Sequence, residues 1–536
     1  MKKWWLLNII LFINAIATCQ QPVPPTWDNT RNDNWPVGFK LVEIRSSTDG
    51  AIQKAWFFRS SERTKQPLIV SLHTWSGNYN QEDPLAKEII LRKWNYIHPD
   101  FRGSNNRPEA CGSELVIADL EDAISYALKE GNVDSTNVHI IGVSGGGYAT
   151  LLAYMKLRFP AKSFNAWAPI SDLVSWYWES KGRNSKYAND IEQVAMTDGI
   201  MNWAELFKRS PINLSIPAQR KTATLNIYAG IHDGYTGSVP ITHSILFYNK
   251  IAAFLCPEKK DYIMPDSTII SLVAKRRNPK ADTTYRLNNR IIHWQKQLPG
   301  LSFSLFEGGH EMLVPSALVL PPIDENKNMM QLNILTIGDS NGEFDFGWPQ
   351  QMRKLLPYSN IINKSVSGNT VGFDNLEQVK LNTLKNIKQY LDDAYNQLPE
   401  GSDLNYIFLG IGTNDTKTIF KDRQKEVPSN MKTLLQLIKD YLKEHNKKIP
   451  RICIISPPPM DETKIDQLKY GGGDERIQHL NNSFKNLAIA DKVYFLDTYT
   501  LLKKDFERKT NDGIHLNESA QFELATYILS YINTNR

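Results

Sequence analysis

Two short segments of the chain hold a serine in a setting suited to nucleophilic chemistry. The first, Gly142-Val143-Ser144-Gly145-Gly146, follows the apolar run VHII and precedes the helical pattern YATLLAYMKL. The second, LTIGDSNGEF at residues 335–344, holds Ser340 after another apolar run. A serine hydroxyl is a weak nucleophile at neutral pH unless a histidine takes its proton and a carboxylate orients that histidine. Each serine therefore requires a histidine and an acid elsewhere in the chain.

Asp233 and His310 are the predicted partners of Ser144. Asp233 lies in IYAGIHDGYTGSVP, just after a strand-like run, and His310 lies in LFEGGHEML, after the last strand-like run of this half. The order serine, aspartate, histidine is that of α/β-hydrolases. His73 and His232 compete for the histidine role, but both are better explained as loop positions.

Three further motifs accompany Ser340. Gly368 lies in SVSGN, Asn414 lies in GIGTND, and Asp512 and His515 lie in NDGIHLN. His515 would accept the proton of Ser340, and Asp512 would orient the imidazole. The side-chain amide of Asn414 and the backbone N–H groups of Ser340 and Gly368 would stabilise the oxyanion. A mixed triad stays open at this point, with Ser340 paired to His310 or Ser144 paired to His515.

The elements that must position these residues form two similar patterns. Two alternating runs, FKLVEIRSS and AIQKAWFFRSS, flank TDG and predict a strand pair. Strand-like and helical runs then alternate, which indicates a mostly parallel sheet with helices on both faces. About fifty residues between FNAWAPISDL and TLNIYAGI predict a helical insertion over the sheet edge. A second alternation starts at LNILTIGDS.

A chain of 536 residues is too long for one hydrophobic core, so we expect two domains. The predicted division is a signal peptide at 1–19, a leader at 20–37, a first domain at 38–315, a linker at 316–330 and a second domain at 331–536. The predicted fold class is α/β in both domains, each with a mainly parallel central sheet.

The first residues are typical of an export signal. MKK precedes the apolar run WWLLNIILFINAIA, which ends near Cys19. Ile16-Ala17-Thr18-Cys19 resembles the lipobox of bacterial lipoproteins, although Thr18 departs from the usual glycine or alanine. Lipidation of Cys19 and simple cleavage after Ala17 both stay open. We expect an exported protein that is periplasmic, anchored to the outer membrane or secreted.

The charge and the cysteine content argue against a nucleic-acid-binding protein and against a metalloprotein. The net charge is +5, and the basic clusters KEHNKK and AKRRN lack interleaved aromatic residues, so we expect no nucleic-acid partner. Cys111, Cys256 and Cys453 show no metal-binding spacing, so we expect no metal site. A disulfide between Cys111 and Cys256 stays open.

On the motifs around Ser144, Asp233 and His310, residues 38–315 resemble the α/β-hydrolase superfamily, in its prolyl-oligopeptidase-like and acetyl-xylan-esterase-like branch. The resemblance implies an α/β-hydrolase fold. It also implies an oxyanion hole formed by the backbone N–H of Gly145 and that of Trp75 or Thr74. Thr74 stands where the family often has glycine, which leaves the choice between the two loop donors open.

On the GDS, SGN, GTND and DGIH blocks, residues 331–536 resemble the SGNH hydrolases, also called the GDSL family. The resemblance implies a flavodoxin-like SGNH-hydrolase fold and the roles given above for Ser340, Gly368, Asn414, Asp512 and His515. Asn341 departs from the leucine that usually follows the nucleophile. The two halves together resemble bacterial dual-domain carbohydrate esterases.

Both resemblances imply ester hydrolysis through an acyl-enzyme, with no metal or organic cofactor. The leading hypothesis is an exported bifunctional serine carboxylesterase that removes O-acetyl or feruloyl groups from polysaccharides or oligosaccharides such as xylan or pectin. In the alternatives, the first domain is a prolyl-oligopeptidase-like serine peptidase, or one domain is a non-catalytic binding module. Sugar stacking and core packing both stay open for five tryptophans: Trp75, Trp176, Trp178, Trp203 and Trp348.

Overall fold

The computed structural model describes residues 35–278, 286–288, 290–318 and 331–534. The predicted signal peptide with Cys19, residues 20–34 of the leader and residues 319–330 of the predicted linker lie outside these ranges. Across the described ranges, no helix is both long enough and apolar enough to cross a membrane.

The first half of the chain builds a sheet of ten strands. Its order is β1-β2-β4-β3-β5-β6-β9-β12-β11-β10, and a separate short hairpin is formed by β7 and β8. The strands are β1 (Lys40–Arg45), β2 (Ile52–Phe58), β3 (Gln66–Leu72), β4 (Asn95–Pro99), β5 (Val133–Val143), β6 (Ser163–Trp167), β7 (Met196–Thr197), β8 (Ile200–Met201), β9 (Thr224–Gly230), β10 (Arg286–Leu287), β11 (Arg290–Leu298) and β12 (Leu301–Phe306).

The middle of this sheet is parallel and its margins are antiparallel. Strands β4, β3, β5, β6, β9 and β12 run parallel to one another, whereas β4 pairs antiparallel with β2 and β12 pairs antiparallel with β11. The predicted pair β1 and β2 is antiparallel, as are β11 and β10 at the other margin. The sequence pattern did not predict β11, RIIHWQKQL, because its polar and apolar residues do not alternate regularly and it lies near a sheet edge.

Nine helices accompany this sheet in the described residues. They are α1 (Leu85–Arg92), α2 (Glu114–Glu130), α3 (Gly145–Lys156), α4 (Leu173–Gly182), α5 (Lys186–Ala195), α6 (Trp203–Arg209), α7 (Ile241–Leu255), α8 (Asp266–Lys275) and α9 (Val314–Ala317). The predicted insertion between β6 and β9 is helical, since it comprises α4, α5 and α6 with the β7–β8 hairpin.

The second half builds a sheet of five strands in the order β14-β13-β15-β16-β17, all parallel. This is the flavodoxin-like order, in which ligands bind where the strand order reverses beside the first strand. The strands are β13 (Asn333–Gly338), β14 (Asn360–Asn363), β15 (Tyr406–Gly410), β16 (Arg451–Ile455) and β17 (Tyr494–Leu496). The predicted α/β class with mainly parallel sheets is therefore confirmed for both halves.

Eight helices accompany the second sheet in the described residues. They are α10 (Ser340–Glu343), α11 (Trp348–Leu355), α12 (Thr383–Gln397), α13 (Glu426–Glu444), α14 (Gln467–Tyr470), α15 (Gly473–Asp491), α16 (Thr498–Lys503) and α17 (Glu518–Thr534).

An ion-pair network joins the two halves. The Glu88 carboxylate of α1 lies 2.5 Å from Arg92 and 2.6 Å from Lys354 of α11. The Arg92 guanidinium also lies 5.1 Å from the ring centroid of Phe522 in α17. Nearby, Tyr358 packs in the same hydrophobic cluster as Tyr228 of β9. The charged groups are mostly buried, so each depends on its partner for compensation.

The cysteines of the described residues are free thiols. Cys111 and Cys453 are buried, Cys256 is partly buried, and the disulfide left open between Cys111 and Cys256 is not formed. Burial raises the pKa of the Cys111 thiol to about 12, so this thiol is unreactive at neutral pH. The described residues also contain no cluster of side chains suited to holding a metal ion.

Candidate active sites

Ser144 occupies the turn between β5 and α3 at the carboxyl end of the first sheet. Its backbone has φ 58° and ψ −119°, a strained conformation for a residue with a side chain. The turn is tight, because an added Cβ on Gly142 would lie 2.3 Å from the Gly146 carbonyl carbon. Such a turn projects the serine hydroxyl above the sheet with the N-terminus of a helix behind it.

Asp233 and His310 are brought together at the same sheet edge. Asp233 follows β9 and His310 follows β12, and their Oδ2 and Nδ1 atoms are 2.8 Å apart. The other carboxylate oxygen accepts the N–H groups of Gly234 and Val239 at 2.9 and 3.1 Å. Gly237 is required beside this pair, since an added Cβ would lie 2.5 Å from the His310 Cβ. The buried aspartate can thus orient the imidazole and stabilise its protonated form.

The loop after β3 distinguishes the two candidate oxyanion donors. The N–H of Thr74 donates to Gln81 Oε1 at 2.9 Å, so it is already occupied. The backbone of Trp75 touches that of Gly145, since an added Cβ on Gly145 would lie 2.2 Å from the Trp75 nitrogen. The geometry therefore favours Trp75 over Thr74 as the partner of Gly145. His73 fastens the loop, with ring nitrogens 2.9 and 2.8 Å from the carbonyl oxygens of Thr74 and Asp100.

A carboxylate missed in the sequence links the loops that carry Asp233 and His310. Glu307 lies 2.6 Å from His232 Nε2 and 2.7 Å from His293 Nε2. His232 directly precedes Asp233, and its N–H donates to the Gly308 carbonyl at 2.9 Å. Glu307 can therefore hold one loop against the other. In the sequence, only its place at the end of a strand, three residues before His310, could have indicated a role for Glu307.

Ser340, His515 and Asp512 form a hydrogen-bonded series in the second half. His515 Nε2 is 2.9 Å from Ser340 Oγ, and its Nδ1 is 2.5 Å from Asp512 Oδ2. Burial opposes ionisation of Asp512, but hydrogen bonds from the ring and backbone of His515 prevail and lower its pKa to about 2. The aspartate is therefore a carboxylate at neutral pH. Ser340 pairs with a histidine of its own half, which excludes the mixed triad for this serine.

Gly368 and Asn414 lie in loops that are joined beside Ser340. Asn414 Nδ2 donates to the Asn369 carbonyl at 3.1 Å, and its Oδ1 accepts the Tyr470 hydroxyl at 3.1 Å. A side-chain amide has two N–H groups. In the described residues only one of these is used, which leaves the other available to an oxyanion. Asn369 in turn bonds the carbonyl of Gly338 at the end of β13.

Asn341, noted in the sequence only as a departure from leucine, connects the serine and histidine segments. Its Oδ1 accepts the N–H of Leu516 at 2.8 Å and Gln521 Nε2 at 3.1 Å. Gln521 Oε1 also accepts the N–H of Trp348 at 2.9 Å. No local pattern could predict these contacts, because they join residues far apart in the chain.

The candidate sugar-stacking tryptophans divide into two groups. Trp75, Trp176 and Trp348 are buried, so core packing describes them. Trp178 and Trp203, from α4 and α6, are 56% and 39% exposed. Their rings stack with centroids 5.6 Å apart and planes inclined by 20°.

Each half of the chain matches a known family of hydrolases. Residues 92–253 match the prolyl oligopeptidase family, and residues 335–521 match the GDSL-like lipase/acylhydrolase family. No sequence among the curated proteins matches the chain.

Similar solved structures share low sequence identity with this chain. A carbohydrate acetylesterase from Sinorhizobium meliloti is 22% identical, with 38% of this chain and 99% of that one covered and a TM-score of 0.32. An aryl esterase from M. smegmatis is 22% identical, with coverage of 38% and 99% and a TM-score of 0.33. An acylaminoacyl peptidase from Pyrococcus horikoshii is 19% identical, with a TM-score of 0.34; 41% of this chain is covered, but only 35% of the peptidase.

The two family matches fall on the two halves that carry Ser144 and Ser340. The chain is therefore a serine hydrolase acting on esters, in which residues 92–253 are similar to the prolyl oligopeptidase family and residues 335–521 are similar to the GDSL-like lipase/acylhydrolase family.

Proposed function

We propose that the chain is an exported bifunctional carboxylesterase that removes acyl groups, O-acetyl or feruloyl, from polysaccharides or oligosaccharides such as xylan or pectin. The observation that carries this proposal is the presence of two separate sets of residues. Each half has its own serine after a parallel strand and its own hydrogen-bonded aspartate–histidine pair. Two sites on one chain suit a substrate that bears more than one ester.

In the second site, Ser340 Oγ attacks the acyl carbonyl carbon while its proton passes to His515 Nε2. The N–H groups of Ser340, Gly368 and Asn414 stabilise the resulting oxyanion. The ester C–O bond then breaks, and the sugar hydroxyl leaves with the proton from His515. Water attacks the acyl-serine by the same steps in reverse and releases the carboxylic acid. Asp512 stays ionised and stabilises the imidazolium.

The first site follows the same steps with Ser144, His310 and Asp233. The developing oxyanion is held by the N–H groups of Gly145 and Trp75. The α3 N-terminus adds its dipole. Neither reaction requires a cofactor.

The carbohydrate substrate is supported by Trp178 and Trp203. Exposed, nearly parallel indole rings offer an apolar face to a pyranose ring, and they lie in the helical insertion of the first half. Acylated polysaccharide or oligosaccharide is thus the proposed partner, and nucleic acid is not.

Export is supported by the sequence of residues 1–19 alone. The basic start, the apolar run and Cys19 are consistent with an outer-membrane lipoprotein, a periplasmic protein or a secreted protein. Metabolic labelling with an alkyne fatty acid tests the lipid: label that disappears in Cys19→Ala supports anchoring, and unlabelled, processed wild-type protein contradicts it.

Serine variants test the two sites separately. Ser144→Ala, Ser340→Ala and the double variant are assayed on acetylated xylan, acetylated pectin and a feruloylated oligosaccharide. Each single variant should retain activity on at least one substrate, and the double variant should lose all of it. If one single variant loses all activity on every substrate, the other half is a non-catalytic module and bifunctionality is wrong.

A peptidase is the second candidate for the first half, because residues 92–253 match the prolyl oligopeptidase family. Dipeptidyl anilides distinguish the two. Two results together would identify the first half as a peptidase and not an esterase. The protein would hydrolyse an anilide in a reaction that Ser144→Ala abolishes, and the Ser340→Ala protein would hydrolyse no ester.

A further inference from the structure

Lys417 is a buried lysine three residues after Asn414. It is 4% exposed, and its Nζ donates to Asn375 Oδ1 at 3.1 Å. Among the described residues, no carboxylate is in ion-pair contact with this ammonium. A buried ammonium without a direct counter-ion is costly for folding. A position that retains one calls for an explanation other than stability.

The acceptor of Lys417 is itself bound to the loop of Gly368. Asn375 is fully buried, and its Nδ2 donates to the Gly368 carbonyl oxygen at 2.5 Å. Gly368 has φ 86°, a conformation that glycine adopts readily, so the orientation of its peptide groups depends on external contacts. Lys417 fixes the Asn375 amide, because its ammonium can only donate and therefore selects the oxygen. The amide nitrogen then points to Gly368.

A second contact leads from Lys417 to Asn414. The Lys417 ammonium lies 5.9 Å from the centroid of the Tyr470 ring, within the range of a cation–π interaction. The Tyr470 hydroxyl donates to Asn414 Oδ1 at 3.1 Å. That bond holds the Asn414 amide with its nitrogen directed away from Tyr470.

The ammonium is charged at neutral pH. Burial, with the nearby positive charge of Lys469, lowers the pKa of Lys417 to about 8, while Asp415 and Asp339 oppose the shift. In most molecules the Lys417 side chain is therefore still protonated at pH 7.

We propose that Lys417 is a positioning residue of the second site, which orients the Gly368 peptide through Asn375 and the Asn414 amide through Tyr470. This inference rests on the proposed esterase activity of Ser340. It predicts an effect on the transition state with little effect on ground-state binding, because the oxyanion exists only after attack.

The experiment uses the full chain in a Ser144→Ala background, so that hydrolysis of p-nitrophenyl acetate reports on the second site. Lys417→Met keeps the aliphatic stem and removes the charge, Lys417→Arg keeps a charged donor, and Lys421→Met is the control at an exposed position of the same segment. Steady-state kcat and KM, and the midpoint of thermal unfolding, are measured for each.

Lys417→Met should lower kcat by about 10- to 100-fold, with KM within about twofold, as expected for a displaced oxyanion donor. Its thermal midpoint should be unchanged or higher, because a buried charge has been removed. Lys417→Arg should recover part of the loss, and Lys421→Met should match the parent. Asn375→Leu should cause a similar loss, and the double variant with Lys417→Met should be no worse than the more affected single variant.

Two outcomes would overturn the inference. The first is a kcat of Lys417→Met within twofold of that of the parent. The second is a loss of activity in Lys417→Met that accompanies a lowered thermal midpoint and that Asn375→Leu does not show. Failure of the proposed function gives a different result, since the Ser144→Ala parent would then show no hydrolysis that Ser340→Ala abolishes.

Discussion

Asn341 and Leu516, which directly follow Ser340 and His515 in the chain, are joined by a hydrogen bond of 2.8 Å from the Leu516 N–H to the Asn341 side chain. The two residues are 175 positions apart. The bond ties α10 to the segment before α17, so it contributes to the 2.9 Å separation of the serine hydroxyl and the imidazole.

Replacing Asn341 by leucine should therefore impair the second site. The buried Leu516 N–H would lose its acceptor and the Gln521 amide would lose the nearer of its two acceptors, at a cost of about 1–3 kcal/mol in the free energy of unfolding. In the Ser144→Ala background, kcat should fall by about tenfold, as for a small misplacement of catalytic groups. The same substitution in a Ser340→Ala background is the control, since first-site activity should not change. An unaltered second-site kcat would contradict the prediction.

Glu307→Gln should weaken the first site. His232 and His293 face different oxygens of Glu307, and glutamine replaces one of these oxygens by an amide nitrogen that only donates. The loops of Asp233 and His310 would then be held less firmly. We expect about a 3- to 10-fold lower kcat for ester hydrolysis in the Ser340→Ala background. Glu258→Gln, at an exposed position, serves as the control; equal rates for the two variants would rule out this role.

Two buried histidines should make stability depend on pH. Burial lowers the pKa values of His98 and His139 to about 3, whereas an unfolded histidine titrates near pH 6.5. Between those values the unfolded chain binds more protons, so each histidine lowers the free energy of unfolding by ~1.4 kcal/mol per pH unit as the pH falls.

Denaturant unfolding at pH 7 and pH 5 checks this contribution. His98→Gln and His139→Gln should each lose less stability between the two pH values than the wild type does. The comparison uses the change in the free energy of unfolding between the two pH values, because either substitution also alters packing and so changes the absolute stability. A change with pH as large as that of the wild type, for both variants, would show that folding does not lower the pKa values of these histidines.

Lys354→Met should destabilise the junction of the two halves. Glu88 would keep Arg92 but lose the Lys354 ammonium at 2.6 Å, which leaves its buried carboxylate less compensated. The expected loss is about 1–3 kcal/mol in the free energy of unfolding. Lys388→Met, at an exposed position, should change stability by less than about 0.5 kcal/mol. Similar values for both variants would mean that the Lys354–Glu88 ion pair contributes nothing measurable to stability.

The sequence was most informative about chemically reactive residues that directly follow a predicted strand. Asp233, His310, Ser340, Asp512 and His515 were predicted as catalytic because polar residues after strand-like runs gather at one sheet edge, and the structure places them in hydrogen-bonded groups. The contacts of Glu307, Asn341 and Lys417 were not predicted, because each contact joins segments that are remote in sequence. A lone buried lysine cannot be distinguished from a surface lysine by its neighbours in the chain.

Residue types and spacing alone determined the two α/β halves and the separate serine, histidine and aspartate candidates, since periodicity and motif order are local properties. The tertiary structure decided that Ser340 pairs with His515, that Gln81 occupies the Thr74 N–H and so favours Trp75, and that Trp178 and Trp203 are the exposed indoles. These outcomes depend on which hydrogen-bonding groups are already satisfied and which surfaces are covered. Both depend on contacts between distant segments, and such contacts exist only once the chain is folded.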